Sequence, residues 1–169
     1  ASASNGAAGG SEDEGSFGAA AEAMRPEFTA FLRKWEFRAL ESDKEAATLK
    51  AQNVPLLVRK MIKRITPRRQ FVLDEGGSLV MRVKAVSGGW NEFLCVDGWS
   101  THSTLFGYAA SSSMSWKEGV IQTVNTVAGD GKTPPRVTTS LHYVDDNGEL
   151  VNESIYNGIS AKTWFTAVA

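Results

Sequence analysis

The chain has 169 residues, 42% of them hydrophobic and 22% charged, with a formal net charge of −1. One domain with a substantial core is the default at that length, and the near-neutral balance supplies no global attraction to nucleic acid. The single cysteine, Cys95, excludes an internal disulfide framework. With only His102 and His142 beside it, soft ligands are too few for a structural zinc site, and no apolar run approaches the roughly 20 residues of a membrane span.

Residues 1–25 differ from the rest. They are mostly Ala, Gly and Ser, with Glu12, Asp13, Glu14 and Glu22 and no basic residue before Arg25. Such a composition cannot offset its ordering entropy by burial, so a disordered acidic tail is expected, either a solvated leader or a docking arm for a protein partner. It lacks the apolar core of a signal peptide. A chain that begins without Met is expected to be trimmed or processed. The expected compartment is the cytoplasm, or an organelle lumen after removal of a targeting segment.

The domain proper is expected over 26–169. Pro26 can open a helical turn, with Phe28, Phe31, Leu32 and Trp35 at helical spacing. Alternation then begins, with Trp35, Phe37 and Ala39 on one side of a first strand. Ser42-Asp43-Lys44-Glu45 reads as a capping box that opens a helix ending near Ala51. Asn53 reads as the cap of a second helix with Pro55 just inside. Val54, Leu57, Val58, Met61, Ile62 and Ile65 form its apolar stripe. Arg59, Lys60, Lys63 and Arg64 take the other face, and Pro67 ends it.

After Pro67 the pattern is strand and turn. Strands are expected over 70–73, 79–86, 91–96, 101–106, 111–116, 120–127, 136–144, 150–156 and 159–167, parted by Gly-containing turns. Asn147-Gly148 and Asn157-Gly158 are hairpin signals, since primed turns need positive φ. One strand, two helices and nine further strands predict a mainly β fold: a ten-stranded antiparallel up-and-down barrel with a helix-turn-helix lid between its first two strands.

Several local patterns agree with that order. They are Phe31-Leu32-Arg33-Lys34-Trp35 at the first strand, Leu49-Lys50-Ala51-Gln52-Asn53-Val54 then Arg59-Lys60 across the helices, and Thr66-Pro67 before the second strand. Glu149-Leu150-Val151, Glu153 and Asn157-Gly158 close the chain. Together they resemble the intracellular lipid-binding proteins, the fatty-acid-binding protein family of the calycin superfamily, over about residues 31–168. Arg33 stands where that family has Gly.

The resemblance implies a non-catalytic carrier of a hydrophobic molecule, with no cofactor. The family commonly holds the ligand head with an Arg on the eighth strand and an Arg-x-Tyr pair on the last. Those positions map to Tyr143, Thr163 and Phe165, with Asn125 and Asn152 as further inward positions on the seventh and ninth strands. Val58, Met61 and Ile62 would face the ligand from the lid. With no cation among them, these residues favour a neutral polar head, as in an alcohol, retinoid, sterol, neutral lipid or pigment, because a buried carboxylate needs a cation or several donors. The alternative is that the same side chains fill the barrel or bind water.

Arg59, Lys60, Lys63 and Arg64, followed by Arg68 and Arg69, suit transient contact with anionic membranes, or are a solvated face. The acidic tail is also able to fold back on them. No phosphate loop or nucleophile elbow is present. His142 is expected at the surface if Tyr143 points inward. An enzyme on a calycin barrel has no catalytic constellation here. The alternative to a carrier is a structural or interaction subunit that uses the same barrel with no exchangeable ligand.

Overall fold

The computed structural model describes residues 26–64, 66–84, 90–94, 98–103, 109–129, 131 and 134–168, with 26, 91–94, 98–103 and 109 by backbone alone. The expected tail, Ile65, Cys95 and the side chains of Trp99 and His102 lie outside the described residues.

A short 3-10 helix, Pro26–Phe28, leads into β1 (Lys34–Leu40). Two helices follow, α1 (Ser42–Ala51) and α2 (Leu56–Ile62). The remaining strands are β2 (Arg68–Leu73), β3 (Leu79–Lys84), β4 (Asn91–Leu94), β5 (Gly98–Ser103) and β6 (Ala109–Lys117). They continue with β7 (Val120–Val127), β8 (Arg136–Val144), β9 (Leu150–Tyr156) and β10 (Ile159–Val168). The architecture is mainly β. Its one antiparallel sheet has the order β4-β3-β2-β1-β10-β9-β8-β7-β6-β5. No ladder joins β4 to β5 among the described residues.

The sheet is curled. Four strand spacings separate β2 from β8, about 19 Å in a flat sheet. Yet Arg69 Nη1 of β2 lies 2.9 Å from His142 Nδ1 of β8. The concave face is closed at one end by an aromatic plug. Phe28 and Phe31 meet Trp116 edge-on at 4.9 and 5.6 Å between ring centroids, and Phe31 meets Phe71 at 5.4 Å. Trp35 is fully buried beside them, its indole N–H donating to Phe31 O at 3.1 Å.

One of the two Asn-Gly hairpins follows the expected turn chemistry. Asn157 and Gly158 both adopt positive φ, 48° and 75°, between β9 and β10. Between β8 and β9 only Gly148 does so. There Asp145 Oδ1 holds the turn by accepting from the amides of Asn147 and Glu149, each at 3.0 Å.

The helices depart from expectation. Ser42 is the first residue of α1 and not its cap. Glu41 holds the cap position without a side-chain cap bond, so the Ser42–Glu45 capping box does not form. Glu41 serves another purpose: its Oε2 accepts from the Lys162 amide at 3.0 Å, and its own amide donates to Lys162 O at 2.9 Å. Those bonds tie the start of α1 to β10. At the far end Arg136 Nη1 donates to Gln52 O at 2.7 Å, tying it to β8. Asn53 does not cap α2, whose cap position is Pro55; Asn53 instead takes a left-handed φ of 56° in the link.

The α2 stripe is not a buried face. No residue of α2 is buried, and Leu56, Leu57 and Met61 are 59%, 72% and 55% exposed. Val58 and Ile62 are half-buried. On β1 the register shifts between Phe37 and Ala39, so Leu40, not Ala39, returns to the concave side opposite Thr163.

Stability should therefore concentrate in the plug. Trp35→Ala should cost about 3–5 kcal/mol, whereas Leu57→Ser on α2 should change stability by less than about 0.5 kcal/mol. Urea unfolding of both variants checks this. A large loss in the α2 variant would mean that its apolar side is core after all.

Candidate functional site

Residues directly opposed in neighbouring strands point to the same side of a sheet, so the ladders define what shares the concave face. Leu40, Thr163, Asn152, His142 and Ile121 form one row across β1, β10, β9, β8 and β7. Ala161, Ser154, Ser140, Thr123 and Met114 form the next. Beyond them lie Thr138, Asn125 and Ser112. On the plug side the row is Phe37, Phe165, Leu150 and Val144. The interior is thus apolar at one end and polar at the other. Ser112, Thr123, Ser140 and His142 are all buried, and Ser112 Oγ donates to Asn125 Oδ1 at 2.6 Å.

Arg69 enters this interior from β2, beside its ladder partner Trp35. Its guanidinium carbon lies 5.0 Å from the centre of the Phe165 ring, a cation–π arrangement. As a residue Arg69 is half-buried, but its Nε is fully enclosed without a hydrogen-bond partner. Burial lowers its pKa to about 10, which still leaves it charged at neutral pH. No carboxylate faces it among the described residues.

The guanidinium fixes the state of His142. Arg has donors only, so Nδ1 of His142 must accept, and the ring proton must sit on Nε2. Nε2–H then donates to Thr123 Oγ1 at 3.2 Å. A second ring proton would face the cation. Burial, and after it the charge of Arg69, hold the pKa of His142 well below 6.5. The imidazole is neutral, 2% exposed, and pinned between two strands.

A cavity of about 170 Å³ adjoins this cluster under α1, lined by Glu45, Thr48, Asn152, Ser154 and Thr163 among others. Asn152 is the ladder partner of His142, so cavity and cation cluster share one row. Burial raises the Glu45 carboxyl, opposed by the charge of Lys63. No group of three or more His, Cys, Asp or Glu able to hold a metal ion occurs among the described residues. No helix among them is long and apolar enough to cross a membrane.

The fold has solved counterparts. The fatty-acid-binding protein 1 of Echinococcus granulosus matches with a TM-score of 0.66 at 21% identity, over 83% of this chain and 99% of its own. The Schistosoma mansoni fatty acid binding protein in complex with arachidonic acid gives 0.66 at 14% identity, over 85% and 99%. As-p18, an extracellular fatty acid binding protein, gives 0.66 at 16% identity, over 82% and 96%. The chain has the fatty-acid-binding-protein fold. No protein-family model matches it, and no curated protein does.

Within that fold the expected head-group residues part company. Asn152 and Thr163 line the cavity under α1, and Phe165 lies deeper, beneath Arg69. Asn125 is on the concave face, held by Ser112. Tyr143 is on the opposite face from His142: its side chain hydrogen-bonds Lys162, which it holds above the usual ammonium pKa, and Lys162 pairs with Glu153 at 3.8 Å. The inward residue of β8 is His142, the reverse of the sequence reading. Met61 is exposed, and Val58 and Ile62 are half-buried. Arg59 is partly buried, its Nε enclosed without a partner, while Lys60, Lys63 and Arg64 are exposed. Arg69, grouped by sequence with that basic run, is the interior cation. Its alternation with Arg68, which pairs outside with Glu36 at 3.3 Å, was the available signal.

His142 carries a pH dependence. The unfolded imidazole protonates near 6.5, the folded one only at much lower pH. The unfolded state therefore binds more protons as the pH falls below about 6.5. The stability held by neutral His142 is complete above that value and is lost as the pH drops. Urea unfolding at pH 8 and pH 5.5 should show a smaller loss in His142→Gln than in the parent. A His142 ring resonance that titrates near 6.5 in the folded protein would contradict the arrangement.

Proposed function

We propose that this chain is a non-catalytic carrier: a ten-stranded barrel, lidded by α1 and α2, that holds one hydrophobic molecule by an anionic head group. The observation that carries the reading is Arg69, a guanidinium inside a curled sheet with an enclosed, unpartnered Nε and no facing carboxylate among the described residues. A buried cation is costly unless an anion meets it, and a carboxylate suits the guanidinium's forked donors. His142 keeps the cation company without neutralising it. The polar rows over β6 to β10 offer hydroxyls and amides for the rest of the head. A solved neighbour of the same fold holds arachidonic acid, a carboxylic acid, which supports the class.

The neutral head suggested by sequence rested on Tyr143, Thr163 and Phe165, none of them charged. Arg69 supplies from β2 the cation those positions lack. One observation favours the second reading, a structural subunit with no exchangeable ligand. The cavity under α1, about 170 Å³, is smaller than the roughly 300–1,000 Å³ usual for ligand sites. Native mass spectrometry of protein purified from its source separates the two, by a bound amphiphile or by a partner complex.

Titration with palmitic acid and palmityl alcohol tests the head group. The acid should bind more tightly at pH 7, and Arg69→Met should weaken it by about tenfold to a hundredfold while barely moving the alcohol. The ligand-free variant should unfold within about 1 kcal/mol of the parent, since an unpaired buried charge adds little to stability. Equal affinities for acid and alcohol in the parent would end the anionic reading.

For delivery we propose contact between α2 and anionic membranes. Lys60, Lys63 and Arg64 stand beside the exposed Leu56, Leu57 and Met61, an apolar and cationic surface together. Lys60→Glu with Lys63→Glu should slow transfer of a fluorescent fatty acid to anionic vesicles, more at low salt than at high. Equal rates at low salt would discard the contact.

A further inference from the structure

We propose that the cavity under α1 is a second polar subsite, which takes a hydroxyl on the ligand within a few carbons of its anionic head. The inference rests on the carrier reading and names the ligand class more narrowly: a fatty acid hydroxylated near its carboxylate. Glu45 Oε2 and Asn152 Oδ1 are enclosed, and neither has a hydrogen-bond partner among the protein atoms described. Both residues line the same cavity, between α1 and strands β9 and β10. Thr48 is already committed, its hydroxyl donating to Lys44 O at 2.9 Å. Two unmet acceptors thus line one small polar space, and a single O–H donor meets one of them or is shared between the two. Each unmet buried acceptor is a standing cost that a donor removes.

Register places this space next to the head site. Asn152 is directly opposite His142 on β9, one strand spacing of roughly 4.8 Å away, and His142 is bonded to Arg69. Thr163 is opposite Asn152 on its other side and lies two residues before Phe165, whose ring carries the guanidinium. A head group on Arg69 therefore brings its nearest carbons past Asn152, while the far end of a long chain is carried away from it. A hydroxyl fits better than an ammonium. The buried Arg69 repels a second cation, and Lys63 already acts on Glu45. The volume, about 170 Å³, suits a head group with a few methylenes and not a whole lipid.

The test compares palmitic, β-hydroxypalmitic and ω-hydroxypalmitic acids by calorimetric titration of the full chain. The β-hydroxy acid should bind about tenfold more tightly than palmitic acid, and the ω-hydroxy acid no more tightly. Glu45→Gln puts an amide donor where the carboxylate was, and Asn152→Leu removes the other acceptor. Either should weaken the β-hydroxy preference and both together abolish it, and Glu45→Gln, which lies outside the strand rows that meet the head, should leave palmitic acid affinity within about twofold. Thermal melts confirm that both variants fold. Equal binding of all three acids, or a preference that survives both variants, overturns the subsite and shows a hydrated cavity only, while the carrier reading stands. If no acid binds, the carrier reading fails, and hexanol titrated into parent and Asn152→Leu, followed by NMR shifts of Thr163 and Asn152, decides the cavity alone. Shifts in the parent and not the variant support it; none in either overturns it.

Discussion

Curling this sheet until β2 meets β8 forces a guanidinium and an imidazole into one another's company. Arg69 and His142 are four strands apart along the sheet yet 2.9 Å apart across it. The polar centre of the interior follows from that contact. The arginine fixes the histidine's tautomer, the tautomer directs its proton to Thr123 on β7, and the shared burial keeps the ring neutral. Three strands are thereby joined by a polar chain that contains one positive charge and no negative one among the described residues. A fold whose only aim was stability would place an aliphatic side chain there, because a buried ion seldom outdoes good packing.

The opposite end shows what such packing looks like in the same chain. Phe28, Phe31, Phe71 and Trp116 interlock edge-on around Trp35, and Leu79, Leu150 and Phe165 complete the cluster. Fully burying side chains of this size is worth roughly 1.5–3 kcal/mol each. That end holds the curl in place, and it allows the β6 to β8 rows to carry Ser112, Thr123, Asn125, Ser140 and His142 inward. Sequences break their own patterning where function requires it. Here the break covers the inward positions of β6 to β8 and meets one cation at His142, as the proposed head-group site requires.

The same break explains which parts of the structure were legible in sequence. Strands bounded by Gly-containing turns announced themselves, and β7 to β10 lie close to their expected limits. Asn157-Gly158 announced its hairpin by backbone physics alone. On β8 the phase misled. Val137, Leu141 and Tyr143 look like the buried set, yet Val137 is 52% exposed and the inward set is Ser140 and His142. Periodicity gives two faces and names neither; the inward place of Tyr143 came from the family's eighth-strand position, and this chain departs from it. Arg69 was hidden for a related reason: in Pro67-Arg68-Arg69-Gln70 it resembles the tail of a solvated basic run, and only strand alternation separates it from Arg68. On α2 the apolar spacing was real, but spacing says where residues lie on a helix and not whether anything packs against them.

That exposed helix makes sense beside its anchored neighbour. α1 is fastened at both ends, by Glu41 to β10 and by Arg136 to its C-terminal carbonyl. α2 buries no residue and is entered through Asn53 in a left-handed conformation. An interior that admits and releases a molecule needs one element that opens at low cost while the rest stays closed. Few buried contacts and exposed backbone termini are how a short helix acquires that property. A membrane surface meets both the Leu56, Leu57 and Met61 side and the Lys60 and Lys63 side at once, and a closed barrel mouth meets only the first. That pairing of an apolar and a cationic surface on one short helix is what the proposed membrane contact draws on.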